Sequence, residues 1–595
     1  MEQFAAWSLR TSPSEVLRSG KVIVEKHAHR FGEKRRKLFA TAFTSRVVAL
    51  YWREIQADYD RVWPLPLAFV DPDPDSLATE FEWLAERLGR AAARLDPVSA
   101  GYFISTTYAM ALPPEIRARL GVYYTPPALT SRLLDQVTSA GIDWDVCTVV
   151  DPACGGGAFL APVAQRMVKH LSHLEPAALV DAIATRVRGF EIDPFAAWLS
   201  QVFVEAVMLS TCRAAKCRLP VLVDVRNSLA MQSAPEVFDL VIGNPPYGRV
   251  TLSPELRAQY SDSLYGHANL YGVFTELALR LVRVDGLVAY VTPTSFLAGQ
   301  YFKRLRGLLG HEAPPVAVDF IAQRKGVFDG VLQEALLATY RRKGQLQSIP
   351  VSLVTPVDEG TARIATVADF SLPSSADQPW LIPRSAEQVC VVERMREMPH
   401  RLADWGYSVS TGPLVWNRHK SQLRLEAGPG CLPLVWAESV TADGRFILRA
   451  IKQNHKPFFK PSERDKWLIV RRGCVLLQRT TAKEQARRLI ATVLPQNLLR
   501  SYGGVVVENH LNMIIPKQSP PTVALRTLAA FFNSTVADQA FRCLSGSVAV
   551  SAYELEALPL PPVESLRALN EAVERGASRE EIDRACSRIY GTDKQ

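Results

Sequence analysis

Short strands that alternate with helices across the middle of the chain constrain its fold more than any other feature. From about residue 112, β-branched segments recur between segments of helical periodicity such as 158–170 and 194–209. The candidate strands are 148–151, 187–192, 221–224, 238–243, 287–292, 316–321 and 331–341. Such alternation is typical of a parallel sheet covered by helices on both faces. We predict a doubly wound α/β domain with a mostly parallel, seven-stranded sheet, whose last strand runs antiparallel at the sheet's end.

The length of the chain indicates more than one domain, because 595 residues exceed what a single hydrophobic core organises. Apolar residues at helical spacing predict a helical N-terminal region over 1–112, followed by the α/β domain over 113–345. The segment 346–385 contains several Pro, Ser and Asp residues and is interpreted as a linker or excursion. Mixed strand and helix patterns predict an α+β domain over 386–565, and amphipathic periodicity predicts a helical tail over 566–595.

Composition excludes several classes of protein. A hydrophobic content of 48% and a charged content of 22% are those of a soluble globular protein. No apolar run approaches a membrane span, and the first residues lack a secretory signal, so we expect neither membrane nor export. Nine scattered cysteines indicate free thiols in a reducing compartment. Cys212 and Cys217 are the closest pair, and no second pair completes a zinc site, so no metal is expected.

Positive charge is concentrated in the window 411–500. It holds 17 Lys and Arg against 6 Asp and Glu, a net charge of +11, whereas the whole chain has +9. Aromatic residues are interleaved with these charges: Trp416, Trp436, Phe446, Phe458, Phe459 and Trp467. This composition predicts a nucleic-acid surface, and the alternative is a solvated basic face. The candidate DNA contacts are Arg418, Lys420, Lys456, Arg471, Arg472, Arg479 and Lys483.

Carboxylates at the ends of three successive strands outline a ligand pocket. Asp151 closes the first strand and precedes the glycine-rich turn 154–157, which lets a ligand approach the backbone closely. Asp151 suits a cationic amine, and Glu191 at the end of the second strand suits ribose hydroxyls, with Ile192 packing on the base. Asp224 on the third strand can accept a hydrogen bond from an adenine amine. Each carboxylate alone fits a helix N-cap, but together they predict a pocket for an adenosine that carries an amino acid.

A stiff turn follows the fourth strand, where Asn244-Pro245-Pro246-Tyr247 comes after an apolar segment. The two prolines remove backbone donors and fix φ, so the carbonyl groups of the turn point outward. The side-chain oxygen of Asn244 and the backbone oxygen of Pro245 can accept both hydrogens of a planar amine, while Tyr247 offers a face for stacking. The alternative is a proline-rich turn that only closes a strand.

In their order along the chain, these residues resemble the S-adenosylmethionine-dependent amino-methyltransferases of DNA, and in particular their gamma class. The segment Gly121-Val122-Tyr123-Tyr124-Thr125-Pro126-Pro127 resembles the N-terminal motif of that class, in which Thr125 would bind the methionine part. Gly326-Val327-Phe328 resembles another element, in which Phe328 would stack on the far side of the target base. Segments 409–412 and 509–512 resemble parts of the recognition domain. The likeness covers about 118–345 and, more loosely, the C-terminal region.

The resemblance implies a Rossmann-like methyltransferase domain, a C-terminal target-recognition domain and S-adenosylmethionine as the cofactor. The activity it implies is methyl transfer to N6 of an adenine flipped out of double-stranded DNA, for restriction-modification protection or epigenetic marking. The implied catalytic residues are Asn244, Pro245, Pro246 and Tyr247. The implied cofactor contacts are Tyr124, Thr125, Asp151, Ala153, Gly155, Gly157, Glu191, Ile192, Asp224, Val225, Asn244 and Pro246. Val225 departs from the family, because relatives often carry an aromatic residue there to stack on the cofactor adenine.

The resemblance also implies partners and a location. Double-stranded DNA is the expected substrate, without a membrane or a metal. A second copy of the chain and a cognate restriction endonuclease are its candidate protein partners, and the bacterial cytoplasm at the nucleoid is the expected location.

Other functions remain open at this point. The same turn serves enzymes that methylate a glutamine amide or guanine N2 of ribosomal RNA, although the long basic region favours nucleic acid over protein. Cytosine N4 is chemically close to adenine N6, but an Asn at the first position of the turn favours adenine. A restriction enzyme with nuclease and methylase in one chain is disfavoured, because no Glu-x-Lys strand follows the acidic segment 71–75. A DNA-binding protein with a vestigial cofactor site is a further alternative.

Overall fold

The computed structural model describes residues 12–66, 79–120, 124–231, 237–322, 334–480, 487–544 and 549–592. The chain divides into two compact units. The first comprises Met1–Pro293 and Arg304–Leu372, and the second comprises Thr294–Lys303 and Pro373–Gln595.

The first unit is built on one large sheet. Among the described residues it has nine strands, in the order β11-β10-β8-β9-β7-β4-β1-β2-β3. Two short strands, β5 and β6, form a separate antiparallel pair. The strands are β1 Val149–Asp151, β2 Val187–Glu191, β3 Val223–Val225, β4 Phe238–Gly243, β5 Arg249–Val250, β6 Ala268–Asn269, β7 Val282–Pro293, β8 Pro315–Ile321, β9 Ala335–Arg341, β10 Ile349–Pro356 and β11 Ala362–Phe370.

Parallel pairing places the functional strand ends at one edge of this sheet. Val149 of β1 pairs with Val187 of β2 and with Leu240 of β4, and β3 and β7 continue the parallel order on either side. A mostly parallel sheet is therefore confirmed. The strand that ends at Arg341 does run antiparallel, but the prediction of its place was wrong: β9 lies between β7 and β8 and not at the sheet's end.

The segment 346–385 differs from the expectation of a linker. Its first part forms β10 and β11, an antiparallel pair that extends the sheet beyond β8 and raises the strand count from the predicted seven to nine. Val351 and Val354 of β10 are buried, whereas most side chains of the edge strand β11 are exposed. Most of the Pro and Ser residues that indicated a linker lie over 371–385, after β11.

Helices cover the sheet and share one hydrophobic core with the N-terminal region. Gly101 lies where a helix from that region crosses the long helix after β2, and a Cβ there would be 2.9 Å from the ring of Phe203. The N-terminal helices thus pack on the α/β domain as part of it. The helices of this unit are α1 Pro13–Ala28, α2 Glu33–Glu54, α3 Thr79–Ala92, α4 Pro97–Ala111, α5 Pro114–Leu120, α6 Pro127–Ser139, α7 Leu160–His170, α8 Pro176–Arg186, α9 Pro194–Ala215, α10 Pro254–Gln259, α11 Leu270–Leu281 and α12 Lys303–Glu312.

Helix α9 is long and apolar enough by composition to cross a membrane, although the sequence predicted no run of that length. However, 78% of its most apolar window is buried inside the fold. Its N-terminus is capped by Asp193, whose side chain accepts a hydrogen bond from the backbone N–H of Phe195. The helix packs against neighbours on several sides, and this burial explains why it is apolar all round.

The second unit mixes strands and helices around separate apolar cores. One sheet has the order β12-β20-β17-β18 and another has β13-β15-β14-β19-β16. The strands are β12 Tyr407–Thr411, β13 Leu423–Arg424, β14 Leu432–Val435, β15 Phe458–Phe459, β16 Ile469–Val470, β17 Val475–Gln478, β18 Ala491–Val493, β19 Val505–Val507 and β20 Leu511–Pro516. The helices are α13 Val389–Glu397, α14 Gln496–Tyr502, α15 Leu525–Phe532, α16 Thr535–Leu544, α17 Ala552–Ala557, α18 Arg567–Glu574 and α19 Arg579–Ile589.

The packing of α4 on α9 predicts opposite effects of one substitution at two helical glycines. Gly101→Ala should lower the free energy of unfolding by about 1–2 kcal/mol, because the Phe203 ring must move away from the new methyl group. Gly272→Ala on α11 should be neutral or stabilising by up to about 1 kcal/mol, because its nearest neighbour, Leu305, lies at 3.6 Å and alanine favours the helix. Chemical denaturation of both variants measures the difference, and equal effects would contradict close packing at Gly101.

Candidate active site

A cavity of about 440 Å³ opens at the carboxyl ends of β1, β2 and β4. This is the edge at which open α/β sheets bind ligands. Nine of the twelve predicted cofactor contacts line it: Tyr124, Thr125, Asp151, Ala153, Gly155, Glu191, Ile192, Asn244 and Pro246. Gly157, Asp224 and Val225 do not line it.

The glycine-rich turn after β1 needs its glycines for conformation and for space. Gly155 and Gly157 adopt positive φ angles of 53° and 85°, which side chains disfavour. A Cβ at Gly156 would lie 2.4 Å from Ser105 Oγ and 3.0 Å from the ring of Tyr124. The turn is therefore enclosed on its outer side, and its inner side borders the cavity.

Glu191 connects the loops that follow β1 and β2. Its Oε2 accepts a hydrogen bond of 2.8 Å from the N–H of Gly155, and its Oε1 accepts bonds of 2.9 Å from the N–H groups of Ile192 and Asp193. Burial raises the pKa of Glu191, while these backbone donors oppose the rise. The carboxylate thus sets the position of the glycine-rich turn and also borders the cavity.

Asp151 is a buried carboxyl group at the bottom of this cavity, with 1% of its surface exposed. Burial raises its pKa to about 8, although the N–H of Ala153 donates to Oδ1 at 3.0 Å and favours the charged form. A buried carboxylate in this position favours a cationic group of a ligand, because such a group offsets the cost of ionisation.

The third strand presents different residues from those predicted. It spans Val223–Val225, later than the expected 221–224, and Asp224 pairs with Arg226 at 2.8 Å. The cavity is instead lined just beyond the strand by Arg226, Asn227 and Ser228. The side chain of Asn227 accepts a bond from the N–H of Leu229, and Ser228 donates to the carbonyl of Pro152. The bond to Pro152 joins this segment to the residues that precede the glycine-rich turn.

An apolar wall of the cavity was missed by the sequence analysis. Leu270 and Phe274 at the start of α11 line it, together with residues that precede α10: Val250, Thr251, Leu252 and Ser253. The helical periodicity of α11 was a signal that could have identified the first two. This wall gives the cavity the apolar surface that was expected from Val225. Val225 is 56% exposed and does not line the cavity.

The turn after β4 lies beside the same cavity. Asn244 and Pro246 line it, and Asn244 Nδ2 donates to Thr125 Oγ1 at 3.1 Å, so the side-chain oxygen is the acceptor atom of this amide. The Tyr247 hydroxyl donates to the carbonyl of Val291 at 3.2 Å, and its ring meets Tyr271 edge-on at 6.1 Å. Burial raises the pKa of Tyr247, so its hydroxyl stays protonated. The predicted stacking residue Phe328, like Tyr123 of the N-terminal motif, lies outside the described residues.

Comparison with known proteins shows which enzymes this domain is similar to. Residues 218–328, which include the turn after β4, match the Eco57I restriction-modification methylase family. The type II methyltransferase M.PstI of Providencia stuartii is 28% identical over 351 residues, which cover 57% of this chain and 68% of that protein. The type II methyltransferase M.BsuBI of Bacillus subtilis is 26% identical over 341 residues, which cover 56% and 68%. Residues 218–328 thus match a restriction-modification methylase domain, and the type II methyltransferases extend the similarity over more than half of the chain.

A likeness in fold to a solved structure extends over nearly the whole chain. The solved structure of the type IIL restriction-modification enzyme MmeI in complex with DNA superposes with a TM-score of 0.56. The superposition covers 98% of this chain and 97% of that chain, at 14% sequence identity. The likeness shows a shared mixed α/β fold.

The basic residues of the C-terminal unit fall into two groups. Arg418, Lys420, Arg471 and Arg472 are exposed, and none of them is ion-paired with a carboxylate of the described residues. Lys456 and Arg479 are half-buried, and Arg479 donates to the carbonyl of Asn509. Lys483 lies outside the described residues. The exposed group keeps its positive charge available to an anionic partner.

Most aromatic residues of the basic window differ from the expected role in a surface. Trp436 and Phe459 are fully buried in an apolar core, and Trp436 stacks on His455 with ring centroids 3.6 Å apart. Trp467 is 68% exposed, the largest exposed fraction among these aromatic side chains. Trp416 and Phe446 are partly buried against apolar cores as well, so much of the interleaving that indicated a nucleic-acid surface reflects core packing.

The buried carboxyl group of Asp151 predicts a pH-dependent gain in stability from Asp151→Asn. The folded-state pKa of about 8 lies above the unfolded value, so protonation of Asp151 stabilises the folded state at low pH. This contribution is lost as the pH rises to about 8. The variant keeps an oxygen for the N–H of Ala153 but carries no charge. Its stability relative to the parent should therefore grow by up to about 1.4 kcal/mol per pH unit between pH 5 and 8.

Denaturation of both proteins from pH 5 to 9 measures this effect. Asp224→Asn is the matched control, because its half-exposed carboxylate is already paired with Arg226. Parallel stability curves for Asp151→Asn and the parent would contradict a buried, neutral Asp151.

Proposed function

We propose that the chain transfers a methyl group from S-adenosylmethionine to N6 of an adenine flipped out of double-stranded DNA. The observation that carries the proposal is the shared cavity. The turn Asn244–Tyr247 lies at the end of β4, and the cavity beside it is lined by Asp151, Gly155 and Glu191. An acceptor for a planar amine and a pocket for an adenosine with an amino acid thus lie side by side, in a restriction-modification methylase domain.

The residues of the cavity fit S-adenosylmethionine chemically. A volume of about 440 Å³ is within the range of small-molecule sites. Asp151 would hold the cationic amine of the methionine part, and Glu191 would accept from ribose hydroxyls once a ligand enters. Leu270 and Phe274 would pack on the nucleobase. When bound, this cofactor supplies a methyl group on a positively charged sulfur.

In this proposal Asn227, and not Asp224, contacts the adenine of the cofactor. Asn227 lines the cavity, whereas Asp224 is held by Arg226 outside it. The amide of Asn227 carries both an acceptor and donors, so it can meet the edge of an adenine that presents an amine next to a ring nitrogen. An uncharged group here also avoids a third buried carboxylate beside Asp151 and Glu191.

The acceptor turn works through hydrogen bonds to the target amine. An adenine N6 lone pair is delocalised into the ring and is a poor nucleophile. If the side-chain oxygen of Asn244 and the backbone oxygen of Pro245 accept its two hydrogens, the nitrogen becomes more tetrahedral and its lone pair more localised. The same oxygens stabilise the positive charge that develops on N6, and the product loses its proton to water. Positioning of the amine in line with the methyl group provides most of the acceleration.

The target base must leave the helix to reach this turn. The Tyr247 ring, fixed by Val291 and Tyr271, offers a rigid face on which a flipped base can stack. Flipping costs a few kcal/mol, which phosphate contacts of the basic C-terminal residues would offset. The charge of those residues favours nucleic acid over a protein glutamine as the substrate.

Genomic methylation tests the activity and its target together. Expression in a methylation-free bacterial host should place N6-methyladenine at one short motif, detected by modification-sensitive sequencing. Asn244→Ala should remove the mark, with a rate lower by at least about 100-fold, because the hydrogen bonds to N6 are lost. Cofactor binding by the purified variant is the control for folding. An unmarked genome with the parent protein, despite bound cofactor, would move the acceptor to RNA or protein.

Salt dependence tests the basic surface. Arg472→Ala should weaken DNA binding and reduce the slope of log K against log salt by about 1, since one phosphate contact is lost. Arg445→Ala is the matched control, because this exposed arginine of the same window is already ion-paired with Asp443. Binding isotherms on one DNA duplex from 50 to 200 mM salt give both slopes. Equal slopes for both variants and the parent would exclude Arg472 from the DNA surface.

A further inference from the structure

We propose that helix α4 of the N-terminal region holds the glycine-rich turn in its binding geometry, and that Tyr108 is the positioning residue. The inference rests on the proposed function, because it takes the cavity as the site of S-adenosylmethionine. It gives the N-terminal helices a role in cofactor affinity that the sequence left open.

A chain of hydrogen bonds connects Tyr108 to the turn. The Tyr108 hydroxyl donates to Asp193 Oδ2 at 2.8 Å. The N–H of Asp193 donates to Glu191 Oε1 at 2.9 Å, and Glu191 Oε2 accepts from the N–H of Gly155 at 2.8 Å. Each member fixes the next, so a group on α4 determines where the glycine-rich turn lies relative to β2.

A second contact from the same helix reaches the turn directly. Ser105, one helical turn before Tyr108, donates its hydroxyl to the carbonyl of Gly156 at 3.4 Å. No side chain fits between the two, as a Cβ at Gly156 would lie 2.4 Å from Ser105 Oγ. Helix α4 is itself seated on α9 through the contact of Gly101 with Phe203. The turn is thus clamped between the end of β1 and a helix of the N-terminal region.

Tyr108 acts from outside the cavity. It is fully buried, does not line the cavity, and its ring packs on Phe195 with centroids 4.6 Å apart. Burial and the neighbouring Asp193 raise the pKa of Tyr108, so the hydroxyl keeps its proton and donates. Removal of the oxygen alone would leave the ring packing in place and break only the connection to Asp193.

Tyr108→Phe in the full chain is the decisive variant. Titration calorimetry with S-adenosylmethionine should show a dissociation constant about 10-fold higher than that of the parent. The turnover rate at saturating cofactor should stay within about twofold, because no group that contacts the reacting atoms has changed. A merely structural role would lower the melting temperature and leave the affinity of the folded protein unchanged.

Tyr51→Phe provides a matched control. Tyr51 is also fully buried in the N-terminal helices, and its ring packs on Phe203 at 5.8 Å. Its hydroxyl has no hydrogen-bond partner among the described residues. Loss of this oxygen should leave the dissociation constant of S-adenosylmethionine within about twofold of the parent value.

A double-mutant cycle shows whether Tyr108 acts through Asp193. In an Asp193→Ala background, Tyr108→Phe should cause no further loss of affinity. Unchanged affinity in Tyr108→Phe, or equal losses in Tyr108→Phe and Tyr51→Phe, would overturn the inference. Losses that simply add in the cycle would also overturn it. Failure of the parent protein to bind S-adenosylmethionine would overturn the proposed function, and this inference with it.

Discussion

The interaction on which the rest of the site depends is the set of three backbone hydrogen bonds to Glu191. Two of them come from its own loop and one from Gly155, so the carboxylate joins the ends of two neighbouring parallel strands. Parallel strands bring such ends together but leave the loops that follow them independent. A charged acceptor with several backbone donors is among the stronger connections a protein can make. The glycine-rich turn can therefore be open on the cavity side and still have a defined position.

This arrangement has a cost in stability that a ligand can reverse. Asp151 and Glu191 are both buried, and burial raises the pKa of each. The charge of Glu191 raises the pKa of Asp151 further, and that of Asp193 raises the pKa of Glu191. Ionisation of Asp151 in the unliganded protein is opposed by burial, whereas a cationic ligand would favour it. A site of this kind is less stable empty than occupied, which is typical of binding sites built from buried charge. Selectivity for a positively charged ligand follows from the same energetics.

The sequence predicted site residues well where they directly end a buried strand. It predicted them less well where tertiary packing decides which residues reach the cavity. Glu191 and Asp151 could be found because a carboxylate that ends a buried strand lies at the sheet's ligand-binding edge. Asp224 does not line the cavity, because β3 lies later in the sequence than predicted. The residues after β3 place Asn227 there instead. The strands β10 and β11 lie in the segment predicted as a linker, because the Pro and Ser residues that follow β11 dominate its composition. Burial of Trp436 and Phe459 depends on tertiary packing that composition does not reveal.

The role of the N-terminal helices also depends on tertiary contacts that the sequence does not reveal. Asp193 caps α9 and accepts from Tyr108, so one carboxylate serves both the start of a core helix and the contact with α4. Helix α4 is fixed in turn by a glycine against Phe203, where even a methyl group meets the ring. A smaller methylase fold that began near residue 113 would keep the sheet and Glu191 but would leave Asp193 and the carbonyl of Gly156 without their partners from α4. The structural unit that shapes this cavity therefore begins before the α/β pattern of the sequence does.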